Sequence, residues 1–160
     1  MYLWFRSNLR NEKYRALMKL CINRSDAVLF VFANYDDSEN YQSQKKIWQE
    51  QLADSLIKCR HNPVWPSTEL AEYTGEIDVC IYRLTKTVKK YIMKTESLYA
   101  WNYPHMPEDI TFLNSGMCIF GINAHEEYAF IQDTAEARCL LDSNKINYDI
   151  ISGDNYFEKY

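Results

Sequence analysis

Residues 98–131, LYAWNYPHMPEDITFLNSGMCIFGINAHEEYAFI, leave few ways to fold. Pro104 and Pro107 exclude a helix through the middle of the stretch, because the residue before a proline avoids the helical region. Downstream, the apolar runs ITFL, MCIFGIN and EYAFI are separated by Asn114-Ser115-Gly116 and by Ala124-His125-Glu126. Both separators are turn chemistry, so the segment predicts three short strands in an antiparallel meander.

The rest of the chain supplies partners for that unit. Tyr2 to Arg6 reads as a short strand or an apolar arm. Tyr14, Leu17, Met18, Cys21 and Ile22 recur at helical spacing, and Ser25-Asp26 ends that helix. Ala27 to Ala33 (AVLFVFA) is an unbroken apolar run, the pattern of a central strand covered on both faces. Turn residues 34–38, with Ser38 as a helix cap, lead into an outer helix carrying Tyr41, Ile47, Trp48, Leu52 and Leu56 as its apolar stripe. A strand is expected from Ser55, and prolines at 63 and 66 break the chain before a loop over 69–75. Ile77, Val79 and Ile81 then alternate with Asp78, Cys80 and Tyr82, predicting a strand with one dry and one wet face. Thr85 is placed to cap a helix that runs to Tyr103-Pro104 with Val88, Tyr91, Ile92, Thr95, Leu98 and Tyr99 inward. Asp133 and Glu136 form a capping-box variant before a last helix, and 146–151 adds an edge strand. The expected fold is α+β: a mixed sheet with the C-terminal three-stranded meander, flanked by about four helices. Residues 1–152 form one domain, with 153–160 a mobile tail.

Composition narrows function by exclusion. The net charge is −4, and the one basic cluster is Lys86, Lys89, Lys90 and Lys94 on a helix face, which argues against nucleic-acid binding. The N-terminus lacks a signal-length apolar run, and no apolar stretch reaches spanning length, so no membrane association is expected. Five scattered cysteines, each inside an apolar segment, read as reduced, buried thiols of a cytoplasmic protein. The chain has no phosphate-binding glycine loop, no G-x-S-x-G elbow and no C-x-x-C pair. No cofactor and no metal are expected.

Trp65-Pro66-Ser67-Thr68, Ile81-Tyr82-Arg83-Leu84, then Trp101, Pro104, Pro107-Glu108-Asp109, Gly116 and His125-Glu126 together resemble a family of small bacterial proteins. That family has a WPGT-like element, a YRF-like strand, a W-x-x-P-x-L-P-E-D-L corner, a glycine turn and an H-E dipeptide, and often carries the label stage III sporulation protein AH. The label implies a membrane anchor, which is not expected here. Ser67 replaces the usual Gly and Met106 the usual Leu. The resemblance spans about 65 residues and implies fold and bacterial origin, not an activity.

Eight residues are candidates for a binding site: Trp65, Tyr82, Arg83, Trp101, Glu108, Asp109, His125 and Glu126. No catalytic residue is assigned. His125-Glu126 lacks the second histidine of a metallopeptidase helix, since position 129 is Ala, and the ring is expected to bond a carboxylate or carbonyl and pin its turn. Glu108 and Asp109, adjacent on an extended chain, should point to opposite faces, with one of them pairing to Arg83 as a structural latch. Trp65, Trp101, Tyr82, Tyr99 and Tyr103 line a groove or cap the sheet ends. A Cys118–His125 dyad stays open, although Cys118 looks buried and inert.

The first reading is a cytoplasmic, non-enzymatic protein-interaction module, immunity-type or regulatory, whose acidic, aromatic surface suits a basic partner such as a toxin. The alternative is a small-molecule-binding protein or enzyme around His125, Glu126, Glu108 and Arg83. A third possibility is a scaffold or homodimer through an open sheet edge.

Overall fold

A computed structural model of the chain describes residues 1–33, 39–61, 64–69 and 77–152. The readings made for the turn at 34–38, for Asn62-Pro63, for the loop at 70–75 and for the tail at 153–160 lie outside the described residues.

In chain order the strands are β1 (Tyr2–Phe5), β2 (Ala27–Ala33), β3 (Leu56–His61), β4 (Val64–Trp65), β5 (Thr68–Glu69), β6 (Ile77–Arg83), β7 (Glu108–Asn114), β8 (Met117–Asn123), β9 (Tyr128–Gln132) and β10 (Asp149–Ile151). The helices are α1 (Asn11–Arg24), α2 (Glu39–Leu52), α3 (Lys86–Lys94) and α4 (Ala135–Ser143). One eight-stranded sheet runs in the order β10-β1-β9-β8-β7-β2-β6-β3, and β4 with β5 makes a separate hairpin. Helices and strands are mixed with the sheet dominant. The sheet is larger than expected, and it is antiparallel at every neighbouring pair rather than mixed. The enlargement comes from strand partners distant in sequence: the N-terminal β1 pairs with both β9 and β10.

Alternation along β2 sorts the two cores. Val28, Phe30 and Phe32 enter one cluster with Tyr14, Leu17 and Met18 of α1, Trp48 and Leu52 of α2, Val88 and Ile92 of α3, and Ala137 and Leu141 of α4. Leu29 and Val31 enter a second cluster with Val79, Ile81, Leu113, Phe130 and Trp65. The four helices of the described residues therefore share one face of the sheet, and the Trp65 hairpin packs on the other. Each fully buried aromatic or aliphatic side chain contributes about 1.5–3 kcal/mol, so β2, buried on both faces, is the sheet's apolar spine. Gly121 sits opposite Phe130 in the register, and a Cβ at Gly121 would collide with the Phe130 ring.

Several expectations need correction. The expected wet face of β6 is mostly dry: Cys80 and Tyr82 are buried in the helix-side core, and only Asp78 is polar there. Helix α3 stops at Lys94, well short of Tyr103. Its continuation is diverted because Asn11 N donates to Glu96 O (2.8 Å) and Leu98 N to Leu9 O (2.9 Å). Ile47 and Leu56, assigned to the apolar stripe of α2, are 44% and 40% exposed. The α4 cap is Thr134, whose hydroxyl accepts from Ala137 N, while Asp133 takes a bidentate contact from Arg138 (2.6 Å on each oxygen). The cysteines are not all buried thiols either. Cys59 and Cys80, facing partners across β3 and β6, are joined by a disulfide, and Cys139 is exposed. Their spacing in sequence concealed a contact that only strand pairing creates.

Candidate functional site at the Trp65–Asp109 corner

The corner is built on a bulge. Val31 of β2 faces Glu108 and Leu29 faces Thr111, so β7 spends three residue steps where β2 spends two. Asp109 absorbs the extra residue with φ of 49°, a left-handed conformation that Asp tolerates better than most side chains. Strict alternation ends there. Glu108 and Asp109, expected on opposite faces, are both 1% exposed, and the Glu108 charge acts on Asp109.

Asp109 ties several segments together. Its Oδ2 accepts from Trp65 Nε1 (2.9 Å) and its Oδ1 from Ala124 N (2.8 Å). Its own N–H donates to Trp101 O (3.2 Å), and its carbonyl accepts from Thr111 Oγ1 (3.2 Å). Burial pushes the carboxyl up to about 7; the Ala124 N–H pulls against that rise, Glu108 adds to it, and the Trp65 N–H opposes it.

The β8–β9 turn closes over the same place. His125 Nε2 meets Glu108 Oε1 at 3.2 Å, joining a half-exposed ring to a buried carboxylate. Asn123 Oδ1 accepts from Glu126 N (2.9 Å), and Asn123 Nδ2 donates to Ser67 O (3.2 Å), which also accepts from the Tyr128 hydroxyl (2.5 Å). Glu127 takes a left-handed φ of 52°, and its carbonyl accepts from the Tyr99 hydroxyl (2.9 Å). The β4–β5 hairpin is thus bolted to the start of β7, the end of β8 and the start of β9.

The structure brings Trp65, Glu108, Asp109 and His125 together, with Glu126 held through its backbone and its side chain exposed. It does not bring Arg83 or Tyr82. Arg83 faces Ala27 of β2, four residues from Val31, or about 13 Å along the strand. Its guanidinium donates to Asp54 O (3.3 Å), so the expected latch to Glu108 or Asp109 does not form. Tyr82 is buried beside Phe30. Trp101 is fully buried in the helix-side core, stacked on Phe30 at 5.3 Å, with Nε1 donating to the Tyr14 hydroxyl (3.0 Å). The two tryptophans therefore lie on opposite faces of the sheet and share no groove; Asp109 is what connects them.

Chemically, the corner offers, among the described residues, one solvent-reachable titratable pair, His125–Glu108. Cys118, the candidate nucleophile, is buried near the far end of β8, its carbonyl accepts from Tyr2 (2.8 Å), and desolvation raises its thiol well above the ordinary value. No dyad with His125 forms. Among the described residues, no group of three His, Cys, Asp or Glu side chains is placed to hold a metal.

A second polar cluster escaped the sequence reading. Lys45 Nζ meets Asp78 Oδ2 at 2.7 Å, and His61 Nδ1 meets Asp78 Oδ1 at 2.9 Å. The signal was present: Lys45 falls between Tyr41 and Trp48 on the buried stripe of α2. A lysine there requires a carboxylate partner. Compared with protein-family models, with curated proteins and with solved structures, the chain matches none.

Proposed function

We propose that the chain is a non-enzymatic protein-interaction module, of the immunity or regulatory kind, in a bacterial cytoplasm. The observation that carries this reading is the commitment of the corner's acids: Asp109 holds Trp65 and Ala124, and Glu108 meets His125. An enzyme needs such groups aimed at a substrate, and these are aimed at the fold. The alternative site around His125, Glu126, Glu108 and Arg83 loses its cation, since Arg83 lies elsewhere. No helix among the described residues is long and apolar enough to cross a membrane. Cys21, Cys118 and Cys139 are thiols, as a reducing compartment favours, and the Cys59–Cys80 bridge then closes under oxidising conditions.

The surface best suited to a basic partner, such as a toxin, is the β8–β9 turn. It exposes Glu126 and Glu127 near the partly exposed rings of Tyr99, Tyr128 and Trp4, with Arg6 lying over Trp4 and donating to Glu126 O. Acidic groups steer a basic partner, and flanking aromatic rings supply contact area. Affinity capture from source cells with the native chain and with Glu126→Lys/Glu127→Lys tests this. The reading expects a stoichiometric basic protein that the variant loses. It is overturned if no such protein is captured and no neighbouring toxic gene product is neutralised.

A further inference from the structure

Among the described residues, strand β3 ends the sheet: it pairs with β6, and the strand order stops there. Five of its six residues are exposed, Lys58 being half-buried, and Ile57 is 48% exposed. Strand β3 is held along its length by pairing with β6, whose own residues are largely buried, and the Cys59–Cys80 disulfide adds a covalent clamp where it is closed. An incoming strand would therefore meet a preformed template, leaving most of the ordering cost on the incoming segment.

The charge on the edge selects what can be added. Lys58 and Arg60 stand opposite Ile81 and Val79, on the same face of the sheet, and β3 contains no acid. Asp78, opposite His61, is already engaged by Lys45 and His61. Antiparallel pairing of β3 with β3 of a second copy, centred on Cys59, would set Lys58 against Arg60, and like charges directly opposite destabilise a strand pair. We propose that β3 is a docking edge that takes an extended acidic segment of a partner protein as a ninth strand, with carboxylates at alternate positions facing Lys58 and Arg60. This surface is separate from the acidic β8–β9 turn, and either can fail without the other.

The test uses two fluorescein-labelled peptides, Gly-Ser-(Glu-Val)4-Gly-Ser and its Lys-Val counterpart, titrated by anisotropy against the native chain and against Lys58→Glu/Arg60→Glu. The native chain is expected to bind the acidic peptide saturably, and at least about fivefold more tightly than the variant does. The variant is expected to prefer the basic peptide while keeping the native circular dichroism spectrum and a cooperative unfolding transition, which show that it is folded. Independently of any variant, the acidic peptide should slow amide hydrogen exchange in residues 56–61 of the native chain. The proposal is overturned by no saturable binding of the acidic peptide, by equal binding of both peptides, or by protection confined to other strands. It is likewise overturned if mass rises with concentration and residues 56–61 become protected without peptide, because a second copy would then occupy the edge.

Discussion

The indole N–H of Trp65 donates to the Asp109 carboxylate over 2.9 Å, joining residues 44 apart in sequence and fastening the β4–β5 hairpin to the bulge at the start of β7. The same residue's backbone N–H reaches Trp101 O on the helix side of the sheet. One aspartate thus binds both tryptophan-proline corners, and its left-handed φ of 49° is what lets it do so.

Burial of Asp109 gives stability a pH dependence of known sign. The carboxyl is raised from 3.8 to about 7, so between pH 4 and 7 the folded chain holds a proton that the unfolded chain has lost. Stability from this group is greatest below pH 4, falls as pH rises to 7, and is flat above, over a range on the order of a few kcal/mol. Urea unfolding across that range, on the native chain and on Asp109→Asn, should show the falling component in the native chain alone. An identical slope in both would remove Asp109 as its source.

Lys45 and Asp78 should couple. Replacing Lys45 with Met leaves Asp78 low in solvent contact with His61 as its one remaining ion-pair partner among the described residues, and should cost up to about 3 kcal/mol. Adding Asp78→Asn should recover part of that loss. A double replacement whose effects simply add would show the pair to be inert.

Gly121→Val should be among the more damaging single changes in the sheet. The Phe130 ring occupies the place of a Cβ at Gly121, and forcing a side chain beneath it should cost about 1–3 kcal/mol or more. Gly121→Val combined with Phe130→Ala should be less destabilised than the sum of the two, read by thermal unfolding.

The Cys59–Cys80 bridge closes a loop with a sequence separation of 21, for which chain entropy gives about 3 kcal/mol. Dithiothreitol should therefore lower the unfolding midpoint of the native chain and leave that of Cys59→Ser unmoved. Equal midpoints for the oxidised native chain and the variant would show that the bridge contributes nothing.

Much of the local structure was legible because local rules decide it. The unbroken run Ala27–Ala33 is β2, MCIFGIN is β8, Thr85 caps α3 through Val88 N, and Asn114-Ser115-Gly116 turns with positive φ at Ser115 and Gly116. The site was less legible because it depends on non-local pairing. Alternation put Glu108 and Asp109 on opposite faces, and only the mismatch against β2 reveals the bulge that brings both into one corner. Nothing near Cys59 marks Cys80 as its partner until β3 lies against β6. Local sequence leaves Trp65 and Trp101 either lining one groove or capping the sheet ends, and only the sheet passing between them rules out the shared groove.

The most direct measurement is a double-mutant cycle on Trp65→Phe and Asp109→Ala, read by equilibrium unfolding at pH 5, where the buried carboxyl is neutral. If the corner's acids serve architecture, each single change destabilises, and the pair shows a coupling of at least about 1.5 kcal/mol, because losing either partner leaves the other buried without its hydrogen bond. A coupling below about 0.3 kcal/mol, with the single variants as stable as the native chain, would contradict the account and return Asp109 to the candidates for chemistry.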